Sequence, residues 1–305
     1  MKREFKASIM LFATAIIWGL AFVAQAAGME HLGPLSFTAS RCFVAVVFLY
    51  LTYKFFMMKS ASYREEKFDM KRTLVGGSIC GLVFTIAINL QQVSLIYTTA
   101  AKASFLTALY IVFIPVIGLF FGRRPSVKIM LCIFLAMVGT YLLSIKGGLK
   151  INRGDLIVIL SALVFAIHIL LLTKYSTNTN AVLVSLVQFA VCGVISLVGA
   201  LVLEDISMEA ILKSQATILY VGILSSGVGF TIQLMALKDL EPVVASMICS
   251  LESVFGALFG WLILSQEMTE REIFGAIIIF LATIFAQVPI ETYLEKRLER
   301  KINRG

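Results

Sequence analysis

The chain reads as an all-α membrane protein of ten transmembrane helices, arranged as an inverted five-plus-five repeat. Three observations predict it. Hydrophobic residues make up 59% of the 305 positions and charged residues only 14%. Apolar runs of about twenty residues recur from Ala7 to Ile290, each long enough to cross a hydrocarbon core of about 30 Å. The second half also echoes the first, weakly residue by residue, at a near-constant offset.

The runs follow in order. The first five are Ala7–Ala27, Leu35–Met57, Thr73–Leu95, Thr98–Phe121 and Val127–Ile145. The second five are Asp155–Thr173, Ala181–Leu203, Thr217–Leu237, Pro242–Leu264 and Glu272–Ile290. The connectors are mostly short and polar, and none could build a separate water-soluble catalytic domain. The first run is too long for a typical signal-peptide core, and more spans follow it. The tail after Glu291 is basic and reads as an interfacial helix or a frayed end.

The formal net charge of +8 sits in the amino terminus, the loops and the tail. Such charges orient a membrane protein. They form no basic stripe of the kind nucleic acid requires, so no nucleic-acid partner is expected. Lys2, Arg3, Lys6, Lys54, Lys59, Arg64, Lys67, Lys71 and Arg72 fall on one side, with Arg123, Arg124 and the basic tail. Both termini are therefore expected in the cytoplasm, and the loop carrying Lys146, Lys150 and Arg153 outside, against the charge rule.

Trp18 and Gly19 match Phe165 and Ala166 at a shift of 147 residues, which also takes Arg41 to Gln188. Thr99–Phe121 matches Pro242–Leu264 at a shift of 143, placing Ala103 on Ser246 and Arg124 on Glu267. Five spans per half is an odd number, so the second copy must enter the membrane upside down. The repeats are divided at 1–148 and 149–305. Inverted repeats meeting at the midplane are the usual construction of an alternating-access carrier.

Several motifs resemble those of a known family. Trp18-Gly19-Leu20-Ala21-Phe22 opens the likeness, with Arg41 in the second run. Tyr97-Thr98-Thr99-Ala100 and Pro115 extend it through the fourth. The strongest stretch runs from Leu240-Glu241-Pro242-Val243 through Gly260 to Gln266-Glu267-Met268-Thr269 and Gly275. On these residues the chain resembles the EamA family of the drug/metabolite transporter superfamily. One departure is Gly122-Arg123-Arg124-Pro125, where the family usually has a glutamate. The resemblance implies a secondary carrier in the bacterial inner membrane that exports or exchanges small metabolites, amino acids or related amphipathic compounds. It fixes no substrate.

Polar residues inside the apolar runs are the candidate binding residues, because such groups turn away from lipid. Thr14, Trp18, Ala21 and Gln25 fall within about a quarter of the helix circumference. At the 147 shift, Ser161, Phe165, His168 and Leu172 share the corresponding face. Either set lines a cavity or packs helix against helix. Asn89, Gln91 and Gln92 supply amides near the outer end of the third run, of which Asn89 and Gln92 are the candidate ligands. Gln233 needs a partner in the apolar zone, in substrate or in another helix. Lys102 sits among small residues and could draw a carboxylate. Arg41 and Lys102 could both snorkel to the outer headgroups, and Arg41 reads as structural. Small residues in the eighth and ninth runs are first a packing signature.

Glu252 lies about 15 Å into the ninth run at 1.5 Å per residue. A charge there costs about 3 kcal/mol on insertion scales. It is the candidate coupling residue, exchanging protons, or a counter-ion to His168, Lys102 or Arg41. Alternatives to a metabolite carrier are a multidrug cation/proton antiporter using Glu252, an intramembrane lipid-modifying enzyme, or a channel. No nucleophile elbow, His-Glu-x-x-His helix or Walker A sequence supports an enzyme or an ATP-driven pump. No catalytic residue, cofactor or metal is expected. The five cysteines are isolated within apolar runs and read as packing residues. Carboxylates at run edges, such as Glu204 and Asp205, read as a solvated face. The partners implied are a small-molecule substrate, the bilayer and protons as a candidate coupling ion, in a monomer or homodimer.

Overall fold

The structure, a computed structural model, describes residues 2–122, 125–144, 152–264 and 269–287. Arg123, Arg124, the Lys146 and Lys150 loop, Gln266-Glu267-Met268 and the basic tail lie outside the described residues.

All regular structure among the described residues is helical. The first half holds α1 (Lys2–Gly28), α2 (Pro34–Lys59), the short α3 (Ala61–Glu65) and α4 (Met70–Ser94). Then come α5 (Ala100–Thr107), α6 (Tyr110–Phe120) and α7 (Val127–Ser144). The second half begins with α8 (Arg153–Tyr175), α9 (Ala181–Leu203), α10 (Met208–Lys213) and α11 (Gln215–Leu219). A π-helical stretch, Tyr220–Gly229, leads into α12 (Phe230–Ala236), followed by α13 (Pro242–Cys249), α14 (Glu252–Leu264) and α15 (Glu270–Gln287).

Eight stretches are long and apolar enough to cross a membrane, with α7 as a shorter apolar helix. Of the ten expected crossings, that of α15 differs because Glu270, Arg271 and Glu272 occupy its first turn. The protein is thus an all-helical, multi-pass membrane protein.

Local chemistry sets the helix starts. Pro34 and Pro242 stand in the first turns of α2 and α13, where a missing N–H costs nothing. Asp69, Thr99 and Asn180 cap α4, α5 and α9 by accepting from the third backbone N–H beyond each. Asn152 and Asp155 close a capping box on α8.

Two apolar stretches are interrupted, and at matched places. Between α5 and α6, Leu109 donates to Leu106 and Ile111 to Ala108, each bond tightened to three residues. Between α13 and α14, Leu251 donates to Ile248 and Ser253 to Ser250 in the same way. At the 143 shift, Thr107 falls on Ser250 and Leu109 on Glu252.

Helix α2 packs along α9, and α7 along α15. The first pair is stapled at both ends. The Glu204 carboxylate, just past α9, accepts from Leu35 and Ser36 backbone N–H groups at 2.8 Å, completing the start of α2. At the other end, the Tyr63 hydroxyl beyond α2 meets the Asn180 side chain at the start of α9. Burial pushes the Tyr63 phenol above its ordinary range, so it remains a neutral partner. Glu204 is therefore a helix cap, not the solvated group its position suggests. The start of each helix meets the end of the other, so α2 and α9 run antiparallel.

The α7–α15 seam is antiparallel too. Gly139 faces Gly275 and Ile279, while Gly275 faces Gly139 and Leu143. A Cβ on Gly139 would lie 2.7 Å from the Gly275 carbonyl, and one on Gly275 2.6 Å from that of Gly139. Only hydrogen fits on either side. Remaining contacts pair off across the halves. Helix α4 packs on α8 and α9, whereas the π stretch packs on α1 and α2. Helix α1 meets α14, and α8 meets α5 and α6.

Candidate functional site

A cavity of about 50 Å³ lies between the two interrupted stretches, room for a few waters by that measure. Five aromatic rings stand in its wall. Trp18 and Phe22 come from α1, Tyr110 from α6, Phe165 from α8 and Phe230 from α12. Phe230 ties the wall together, with its ring 4.7 Å from that of Trp18 and 4.9 Å from Phe84.

Polar groups interrupt this wall at a few points. The Trp18 indole donates to the Ser225 carbonyl in the π stretch at 3.2 Å. Gly229 permits that approach, since a Cβ there would fall 2.6 Å from the indole nitrogen. Gln91 donates to the Thr107 hydroxyl, at the end of α5, at 3.0 Å. His168 is fully buried, its Nε2 2.8 Å from the Gln188 side-chain oxygen. An amide oxygen accepts only, so Nε2 carries the proton and Nδ1 is left as an acceptor without a partner. Gln233 reaches only the Cys249 sulfur, at 4.0 Å, and its side-chain oxygen has no partner.

A carboxylic acid and a guanidinium, Glu252 and Arg41, also line the cavity. Glu252, at the first position of α14, is 4% exposed and contacts the Tyr110 hydroxyl at 3.4 Å. Its three sequence-suggested counter-ions are engaged elsewhere: His168 with Gln188, Lys102 with Asp155, Arg41 with Gln25. Arg41 is 2% exposed and donates from Nη1 to Gln25 Oε1 at 3.0 Å. Gln25 is held in turn by its own Nε2, which donates to the Ala21 carbonyl at 3.1 Å. Arg41 Nε and Nη2 have no partner. Arg41 thus faces the interior instead of snorkelling, because Gln25 on α1 gives its head a polar contact there.

Of the candidate ligands, Trp18, Gln25, His168 and Gln233 meet at this cavity, with Glu252. Asn89, Gln92 and Lys102 lie away from it. Asn89 donates to the Thr85 carbonyl and to Ser196 on α9, joining two helices. Gln92 donates to the Met29 sulfur. Lys102 pairs with Asp155, which is 2% exposed in its side chain and also accepts from Thr98 and the Asn152 backbone. Tyr110, which the sequence did not single out, also lines the cavity, as do Gln91 and Arg41, named there only as an outer amide and a structural residue or counter-ion. The register of α4 carried a signal, since Ile88 and Gln91, three apart, both line the cavity while Asn89 and Gln92 turn about 100° away. All five cysteines are buried and free, and no metal-binding cluster occurs among the described residues.

Comparisons with known proteins agree with this architecture. A solved crystal structure superposes with a TM-score of 0.73, over 96% of this chain and 99% of that one, at 15% identity. The fold is shared at that distance. An uncharacterized transporter of Archaeoglobus fulgidus is 27% identical over 93% of this chain and 86% of its own length. The uncharacterized transporter YoaV of Bacillus subtilis is 24% identical over 90% of this chain and 94% of its own. The model of the EamA-like transporter family matches twice, over residues 5–145 and 152–287. With that double match across nearly the whole chain, this membrane protein belongs to the EamA-like transporter family, a family of transporters and not of enzymes.

Proposed function

We propose that the protein is a secondary carrier that exports or exchanges small amphipathic metabolites, amino acids or their relatives, by alternating access. The observation that carries this reading is a single cavity shared by the two halves. Trp18, Gln25 and Arg41 come from one half, and His168, Gln233 and Glu252 from the other. Aromatic walls suit an apolar body, and the few polar groups suit a charged or hydrogen-bonding end. Broken helices flanking such a cavity are the usual form of a carrier binding site.

The antiparallel α2–α9 and α7–α15 seams support an inverted repeat. They pair the second span with the seventh and the fifth with the tenth, as a two-fold axis in the membrane plane requires. Each half, 1–148 and 149–305, then acts as a rocking unit. Trp18, Gln25, His168 and Gln233 contact substrate, whereas Asn89, Gln92 and Lys102 act through the helices they tie. Glu252 exchanges protons as the coupling residue, since no Lys or Arg among the described residues pairs with it. The Lys and Arg distribution supports both termini on the cytoplasmic side of the cell membrane. Reporter fusions at Gly148 and after Arg304 should report opposite sides.

Counterflow of labelled amino acids in proteoliposomes tests the proposal. Saturable uptake against unlabelled internal substrate is expected. Leakage without saturation would indicate a channel, and no counterflow for any substrate that binds would end the carrier reading.

A further inference from the structure

We infer that Arg41 is the carboxylate anchor of the substrate cavity and that Gln25, besides lining that cavity, sets the orientation of its guanidinium. This rests on the carrier reading and names the chemical class the site selects. An arginine is always charged, and one buried in a membrane protein without an acidic partner is costly. Arg41 is such a residue. It is 2% exposed, and no acidic group pairs with it among the described residues. Its one side-chain hydrogen bond is to a neutral amide, which leaves the charge uncompensated.

The pattern of used and unused donors says what it waits for. Gln25 takes Nη1, at the end of the guanidinium nearest the side-chain stem. The unpartnered donors are Nε and Nη2. These two N–H groups lie parallel along one edge of the guanidinium, the edge that grips both oxygens of a carboxylate side-on. A merely structural arginine would spread its donors over nearby backbone carbonyls. Here both donors of the bidentate edge are buried without a partner, in a residue that lines the cavity. The Gln25 amide is oriented by the Ala21 carbonyl, so its oxygen, not its nitrogen, meets Arg41. That contact fixes the plane of the guanidinium without neutralising it.

Gln25→Glu is the sharpest variant. It keeps the shape and supplies an internal carboxylate, so Arg41 is neutralised without being removed. The purified full chain and this variant are compared by thermal shift and direct binding. The probes are L-leucine, L-phenylalanine and isocaproate, each beside its amide, with isoamylamine as the amine control. In the wild type a carboxylate should bind at least about tenfold tighter than its amide, the scale of a charged hydrogen bond. Gln25→Glu should lose that preference while melting no lower than wild type without ligand. Should Gln25→Glu fold poorly, Arg41→Met, which deletes an unpaired buried charge, replaces it with the same expected loss. The assignment is overturned by equal affinity for acid and amide, by an undiminished preference in the variants, or by no carboxylate binding at all. Counterflow separates it from the carrier reading. Carboxylate binding without counterflow sinks the carrier and leaves the anchor, whereas counterflow of isoamylamine alone does the reverse.

Discussion

Arg41 and Lys102 are both basic residues within apolar helices, yet the protein treats them in opposite ways. Lys102 meets Asp155 at the start of α8, in a network that also takes in Thr98 and the α8 capping box. Arg41 sits deep in the bundle with a glutamine for company and two donors unused. The paired charge holds two helix ends together. The unpaired one is kept at an energetic cost that only a ligand offsets. Depth alone does not distinguish structure from function here; the state of pairing does.

The strongest way to break this contrast is to delete each charge. Arg41→Met should lower transport by about a hundredfold, from two charge-assisted hydrogen bonds lost, while its melting temperature in detergent stays level or rises. Initial-rate counterflow beside a thermal melt reads both. A large drop in melting temperature with normal transport would make Arg41 structural after all. Asp155→Asn should do the converse. It removes the charge that Lys102 meets at the start of α8 and should cost about 1–3 kcal/mol, because the Lys102 side chain keeps some access to water. The folded fraction should bind substrate as wild type does.

Glu252 sharpens the comparison from the other half. Glu252→Gln preserves shape and removes the titratable proton. Exchange should persist, while accumulation driven by a pH gradient falls to the level set by exchange alone. Unchanged accumulation with unchanged pH dependence would remove Glu252 from coupling. A smaller effect is expected at the α7–α15 seam. Gly139→Val forces a side chain against the Gly275 backbone and should cost about 1–3 kcal/mol of stability, read from the melt. Trp18→Phe is the mildest. It keeps the ring against Phe230 and gives up the bond to Ser225, so substrate affinity should fall by less than about tenfold.

The membrane-spanning character was legible because lipid imposes one simple rule, about twenty apolar residues per crossing. The two-fold pattern was legible for a similar reason, since helix faces repeat with helix periodicity. Trp18, Gln25 and His168 were found that way. Gln91 was not, because choosing it over Asn89 and Gln92 requires the rotation of α4 about its axis, which α8 and α9 set by packing. The inward turn of Arg41 was not legible, because snorkelling and inward pairing look alike until the position of Gln25 on another helix is known. The use of Glu204 as a cap for α2 spans 169 residues and left no local trace.

The reciprocal glycines of α7 and α15 carry one more consequence. Most helix pairs interlock through side chains, like meshed gears, and turning one disturbs the other by whole notches. Where Gly139 and Gly275 cross, backbone rests on backbone, with the Ile279 and Leu142 side chains packed beside it. So close a junction leaves no slack between the two helices, and it suits a point at which two rocking halves keep their spacing while the cavity changes shape elsewhere.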